Sequence, residues 1–266
     1  MGLAFTLEAV APQKYPYPPI TEAIAEFRTA NAATPTLKTL RQVADEFSDE
    51  LPNVEAAGEA SGVFSVDAAG EASASASAKQ TGYTCRSHDG KLIGIVMQGS
   101  FAVSRLAPYG GWGDFSATAK NLWETYDRIV KPAGVVRVGL RYINKIDIPL
   151  ADRNLRLNDY FCVRPSLPKD LSTQTSSFFL RVELPQEDFE GGMAIVNFAP
   201  TVQPDPNTGA FILDIDVSSS LKSAANSSEA WAIACELRNR KNKIFEACVT
   251  EDAKRLFTKD DRTTTN

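Results

Sequence analysis

Arg137, Arg141 and Lys145 share a short, mostly apolar stretch and stand an even number of residues apart. In an extended strand this spacing puts all three on one face with Gly139 and Ile143, while Val136, Val138, Leu140, Tyr142 and Ile146 take the other. The cations then form a ladder roughly 26 Å long, at about 3.3 Å per residue. A ladder of this kind is the chemistry of an anionic ligand or a nucleic-acid backbone. The competing reading is a watered sheet face neutralised by carboxylates. It is favoured here because Glu22 and Glu26 alternate on an earlier strand. Arg141 is expected to be held by Glu22 or Glu26, since an unpaired buried cation is costly and a guanidinium fork suits a carboxylate.

Other residues offer less. Asp214 and Asp216 project from one face of a late strand and, with a third oxygen donor such as Glu183, could ligate a divalent cation. Pairing with Arg181 or the central arginines is the preferred account. His88, the only histidine, lies in Ser87-His88-Asp89-Gly90. Sequence neighbours cannot adopt the geometry of a catalytic triad, whose members converge from different elements. Cys85 lies nearby with nothing to stabilise a thiolate. Cys85, Cys162, Cys235 and Cys248 are too far apart for a zinc ribbon or a C-x-x-C motif and read as buried thiols. Gly110-Gly111-Trp112-Gly113-Asp114 precedes a helix and could turn backbone amides toward a phosphate, but it lacks the G-x-x-x-x-G-K-S pattern. A loop with a docking tryptophan is preferred, and Tyr109 and Trp112 provide the rigid aromatic area favoured at interfaces. No catalytic residue, metal or cofactor is assigned, and the chain reads as leaning away from enzymes.

The elements that must position these residues follow from periodicity. Residues 20–29 alternate as a first strand. Leu37, Leu40, Val43, Ala44 and Phe47 recur at helical spacing after Thr34, read as the N-cap, and Pro35, read as a first-turn proline. Residues 55–80 are dominated by Ala, Ser, Gly and Glu and are expected to form a mobile hairpin tip. Residues 83–87, 92–97 and 101–106 read as a meander. A helix capped by Asp114 or Ser116 then carries Leu122, Trp123, Tyr126, Ile129 and Val130. The long strand 135–149 is followed by a short helix at 157–161 and by strands at 178–184, 193–198 and 211–217. A closing helix begins at Asn226 or Ser227, has Trp231, Ala234, Leu237, Ile244, Phe245 and Cys248 on its apolar stripe, and restarts near Thr250.

The expected fold class is therefore α+β: a mainly antiparallel, curved sheet with helices on one face. Residues 1–133 and 134–266 repeat the order strand, helix, several strands, longer helix. This order resembles the internal duplication of TATA-binding-protein-like folds, within one compact unit. Element order alone does not transfer DNA binding.

Three further segments carry a family resemblance. They are Tyr17-Pro18-Pro19-Ile20-Thr21-Glu22-Ala23, the run Arg105-Leu106 through Tyr109 with Trp112, and Arg137-Val138-Gly139-Leu140-Arg141-Tyr142-Ile143-Asn144-Lys145-Ile146. With Asp159-Tyr160, residues 213–217, Phe245 and Val249-Thr250, the chain resembles a sporadically distributed bacterial family of uncharacterised proteins over nearly its whole length. The resemblance implies no activity, cofactor or catalytic residue.

With 266 residues, 43% hydrophobic and 23% charged, the chain can bury a substantial core. A net charge of −5 opposes indiscriminate phosphate binding. The first residues do not read as a signal peptide and no apolar run approaches a membrane span, so a cytoplasmic location is expected. The function read from the sequence is noncatalytic binding, with another protein as partner. It would suit an accessory or immunity component of a bacterial defence or toxin-neutralising locus. The alternative is nucleic-acid or nucleotide binding through Arg137, Arg141 and Lys145. The residues singled out for a partner or ligand are Arg137, Arg141, Lys145, Glu22, Glu26, Tyr109 and Trp112.

Overall fold

The computed structural model describes residues 14–66, 72–150, 155–168, 170 and 177–258, with the side chains of 59–77 excepted. The first thirteen residues, on which the signal-peptide expectation rests, lie outside them. The strands are β1 (Ile20–Ala30), β2 (Asn53–Val66), β3 (Ala72–Arg86), β4 (Leu92–Met97), β5 (Ser100–Leu106), β6 (Gly134–Pro149), β7 (Leu180–Gln186), β8 (Gly192–Pro200) and β9 (Thr208–Ala225). They form one antiparallel sheet in the order β2-β3-β4-β5-β1-β6-β9-β8-β7. The first strands of the two segments, β1 and β6, therefore lie side by side. Each is bordered outward by the last strand of its own segment.

Alternation sends one face of this sheet into the core. Phe27 pairs across to Phe101 and Val138, Ala25 to Leu140, and Leu140 to Val217, and all of these residues are buried. The helices cover that face: α1 (Leu37–Glu46), α2 (Trp112–Val130), α3 (Leu157–Tyr160), α4 (Ser227–Cys248) and α5 (Glu251–Leu256). Phe27 sits between Trp123 of α2 and Trp231 of α4, with centroids at 5.0 and 4.8 Å. Losing that ring would cost about 3–5 kcal/mol. Among the described residues no helix is long and apolar enough to cross a membrane.

Several local expectations are corrected. The Ala/Ser stretch does form a hairpin, but most of it is the paired arms and not the tip, β2 against β3 from Asn53↔Arg86 to Val66↔Ala72, because a ladder needs backbone groups and no large side chains. Thr36, and not Thr34, caps α1 by accepting from the Thr39 amide. α2 begins two residues before Asp114, with Gly111 as its cap. Asn226 caps α4 in a reciprocal box with Glu229, and Thr250 caps α5. In β6 the register slips between Val135 and Arg137, so Val135 is buried and Val136, expected on the core face, is not. Cys85 and Cys248 are buried, whereas Cys162 and Cys235 are exposed.

Candidate functional site

The seven residues singled out from the sequence fall on opposite faces of the sheet. Glu22, Glu26, Arg137, Arg141 and Lys145 stand on the face without helices. Tyr109 and Trp112 stand with the helices, around a cavity.

On the helix-free face the cations are paired. Arg137 donates to the Glu26 carboxylate, which Arg28 also approaches at 3.2 Å. Lys145 meets Asp147, two residues along its own strand, at 3.1 Å. Arg141 is held neither by Glu22 nor by Glu26. Its Nε and Nη2 donate to the two oxygens of Asp214 at 2.9 and 2.8 Å, and Asn197 donates a third bond to the same carboxylate at 3.0 Å. The register explains this correction. Arg141 lies opposite Ile24 on β1 and opposite Asp216 on β9, so carboxylates on either side are within diagonal reach. Glu22 accepts from Ser104 and Glu26 from Arg137, and of the two β9 carboxylates Asp214 takes the fork. Asp214 is 5% exposed and its fork bonds raise the Arg141 pKa. Burial raises the carboxyl of neighbouring Asp216, against the pull of Arg137 and Arg141. Among the described residues no group of three or more His, Cys, Asp or Glu is placed to hold a metal ion.

The Ser87-His88-Asp89 turn is held by its own residues. Ser87 Oγ donates to Asp89 Oδ1 at 2.6 Å, and the amides of Lys91 and Leu92 donate to Asp89 Oδ1 and Ser87 Oγ. Burial pushes the thiol of Cys85 up to about 11.

The cavity lies at one end of the helical layer and encloses about 540 Å³. Four elements wall it. The segment from Lys14 to Ile20 gives Tyr15 and three prolines, and the α2 approach gives Tyr109 through Asp114. β6 gives Tyr142 and Asn144, while α4 gives Arg238, Lys241, Asn242, Phe245 and Glu246. Gly111 holds a φ of 109°, a conformation that a side chain would strain, and as the cap it offers no oxygen to the first amides of α2. Tyr109 stands edge-on to Tyr142 at 5.8 Å, with their hydroxyls 3.2 Å apart. Burial raises both phenols.

Lys241 is the unexpected member. It occupies the i+4 position between Leu237 and Phe245 on the apolar stripe of α4 and is only 8% exposed. Its ammonium lies over the Tyr142 ring, 4.0 Å from the centroid, and among the described residues it has no ion pair or hydrogen bond. Desolvation, helped by the Arg238 charge and opposed by Glu246, lowers its pKa to about 7. Glu246 is already engaged: the Tyr15 hydroxyl donates to it at 2.8 Å and Lys254 pairs with it at 3.0 Å. Among the described residues Arg238 has no ion pair, and it donates to Asn239 Oδ1 at 3.4 Å. The sequence signal was available, a lysine in line with buried apolar residues on one helix face. Ile244, expected on that stripe, is not fully buried. Comparison with the models of known protein families gives no match, and neither does comparison with the curated proteins.

Proposed function

We propose that this chain is a noncatalytic binding protein and that the cavity between the start of α2 and α4 holds its ligand. One observation carries the reading. The cavity joins rigid aromatic walls to two cations of α4, Arg238 and Lys241, that have no carboxylate partner among the described residues, whereas every cation of the strand ladder has one. A volume of about 540 Å³ suits a small molecule or the end of a peptide. Tyr109 and Trp112 keep the recognition role inferred for them, now as walls of a pocket.

The test is a thermal-shift screen of small ligands and short peptides, with hits confirmed by calorimetry on the wild type and on Trp112→Leu. Ligands that stabilise the wild type should lose affinity in the variant and be recovered chemically unchanged. Turnover, or trapping of a ligand carbonyl on the Lys241 amine by borohydride, would replace the reading with a catalytic one.

Nucleic-acid binding through Arg137, Arg141 and Lys145 is the less supported alternative, because a phosphate would have to displace Glu26, Asp214 and Asp147. Oligonucleotide affinity that falls steeply with salt and is lost in Arg137→Gln would revive it. The segments quoted above support kinship with the sporadic bacterial family. Binding without turnover fits an intracellular accessory or immunity component of a defence or toxin-neutralising locus, which gene neighbours would test. The strand order about the β1–β6 seam supports an origin by duplication. Superposing residues 20–130 on residues 134–248 checks it.

A further inference from the structure

We propose that the cavity takes a phosphate monoester carried on a flat ring, the phosphate held between the start of α2 and the Arg238–Lys241 pair and the ring flanked by Tyr109 and Trp112. The proposal rests on the cavity being the binding site.

The phosphate half of the claim begins with α2. Its nineteen residues place the positive end of a long helix dipole at the cavity wall, where the Gly111 cap offers no side-chain acceptor. The amides of Trp112, Gly113 and Asp114 therefore remain donors without an intrahelical partner. A helix start alone would only welcome charge in general. Lys241 supplies the independent sign: a lysine more than nine-tenths buried, lining the same cavity, whose ammonium has among the described residues a ring face and no acceptor. Burying an ammonium without an acceptor is costly, and an anion in the cavity offsets that cost. Arg238 stands one turn before Lys241 and lines the same cavity.

The number of donors selects the anion. Three amides, an ammonium and a guanidinium fork exceed what the two oxygens of a carboxylate can accept, but they match the three terminal oxygens of a phosphate monoester. The ring half of the claim follows from the walls. Tyr15, Tyr109, Trp112 and Phe245 give aromatic surface beside the anion site, too much to leave for inorganic phosphate alone. Two carboxylates also reach the cavity. Glu246 is neutralised by Lys254, but Asp114, in the first turn of α2 and close to Gly110, competes with the ligand.

Calorimetry on the whole chain tests this with adenosine 5′-monophosphate, adenosine, phenyl phosphate, benzoate and inorganic phosphate. The two monoesters should bind at least tenfold more tightly than adenosine, benzoate or inorganic phosphate. Lys241→Met and Arg238→Gln should each weaken the monoesters at least tenfold. Trp112→Leu should weaken them while leaving inorganic phosphate unchanged, and Asp114→Asn should tighten them. At pH 8 the wild type should take up a proton on binding, seen as heat that varies with the buffer, and Lys241→Met should not. Adenosine or benzoate binding as tightly as the monoesters, or no monoester binding below 1 mM to a folded chain, would overturn the inference. If a neutral or carboxylate ligand then binds and is lost in Trp112→Leu, only the anion assignment falls. If no hit of the ligand screen depends on Trp112, the cavity reading falls with it.

Discussion

The ladder on the open sheet face and the cation pair beside the cavity contain the same residue types in opposite circumstances. Arg137, Arg141 and Lys145 are partly exposed and each meets a carboxylate, whereas Lys241 is buried and meets none among the described residues. Strand geometry explains the first case. A cation on an inner strand faces two neighbouring strands, and on β1 and β9 the even positions bring Glu22, Glu26, Asp214 and Asp216 to the same face. Helix geometry explains the second, because the inward positions of α4 meet aromatic side chains and no acid. A row of cations is thus weaker evidence for a ligand than one cation that the fold leaves unmatched.

Stability measurements can break this comparison. Arg141→Ala leaves Asp214 buried with only Asn197 as donor and should destabilise the protein by about 2 kcal/mol. That corresponds to roughly 5 °C in Tm for a chain of this size. Unchanged melting would mean that the fork bonds contribute nothing. Lys241→Met should act in the opposite sense, raising stability by about 1 kcal/mol near pH 6.5, because it replaces an unmatched buried charge with an apolar chain of similar length. A loss of stability in urea unfolding would show that Lys241 has a structural partner.

The same variant sharpens the comparison through pH. The folded Lys241 ammonium has a pKa near 7, below its ordinary unfolded value, so the unfolded chain holds more protons above pH 7. This makes a contribution to stability that rises from about pH 7 toward 10. The wild type should therefore gain stability relative to Lys241→Met as pH rises across that window. The phenols facing Lys241 do not reverse the sign, because burial raises Tyr109 and Tyr142 and keeps them protonated. Cys85 and Cys248, pushed up to about 11 and about 12, affect both proteins equally. A constant gap would place the Lys241 pKa outside the window. The smallest effect belongs to His88→Ala. Its turn is held by Ser87 and Asp89, and the change in Tm should correspond to less than about 0.5 kcal/mol.

Much of the fold was legible because alternation and helical spacing are local. The β6 faces, the α4 start at Asn226 and the restart at Thr250 follow from neighbouring residues. The Val136 bulge does not, since it depends on how β1 and β9 register against β6. The choice of Asp214 for Arg141 was hidden for the same reason, as it required knowing that Glu22 was taken by Ser104 on a third strand. Half of the cavity was legible in Tyr109 and Trp112. Lys241 carried a signal in its spacing from Leu237 and Phe245, but it was obscured by the ordinary expectation that lysine faces water.

The seam between β1 and β6 also sets an order of events during synthesis. β1 can pair with β5 once Leu106 has left the ribosome, but its other edge, eleven residues long, must wait for β6 to end at Pro149. At about 5–20 residues per second the wait lasts roughly 2–9 s. During it the nascent chain presents an unpaired strand in the middle of its future sheet. A fragment ending at Ala133 makes that state permanent and should self-associate through β1 on gel filtration. A monomeric fragment would mean that the edge is protected before its partner arrives.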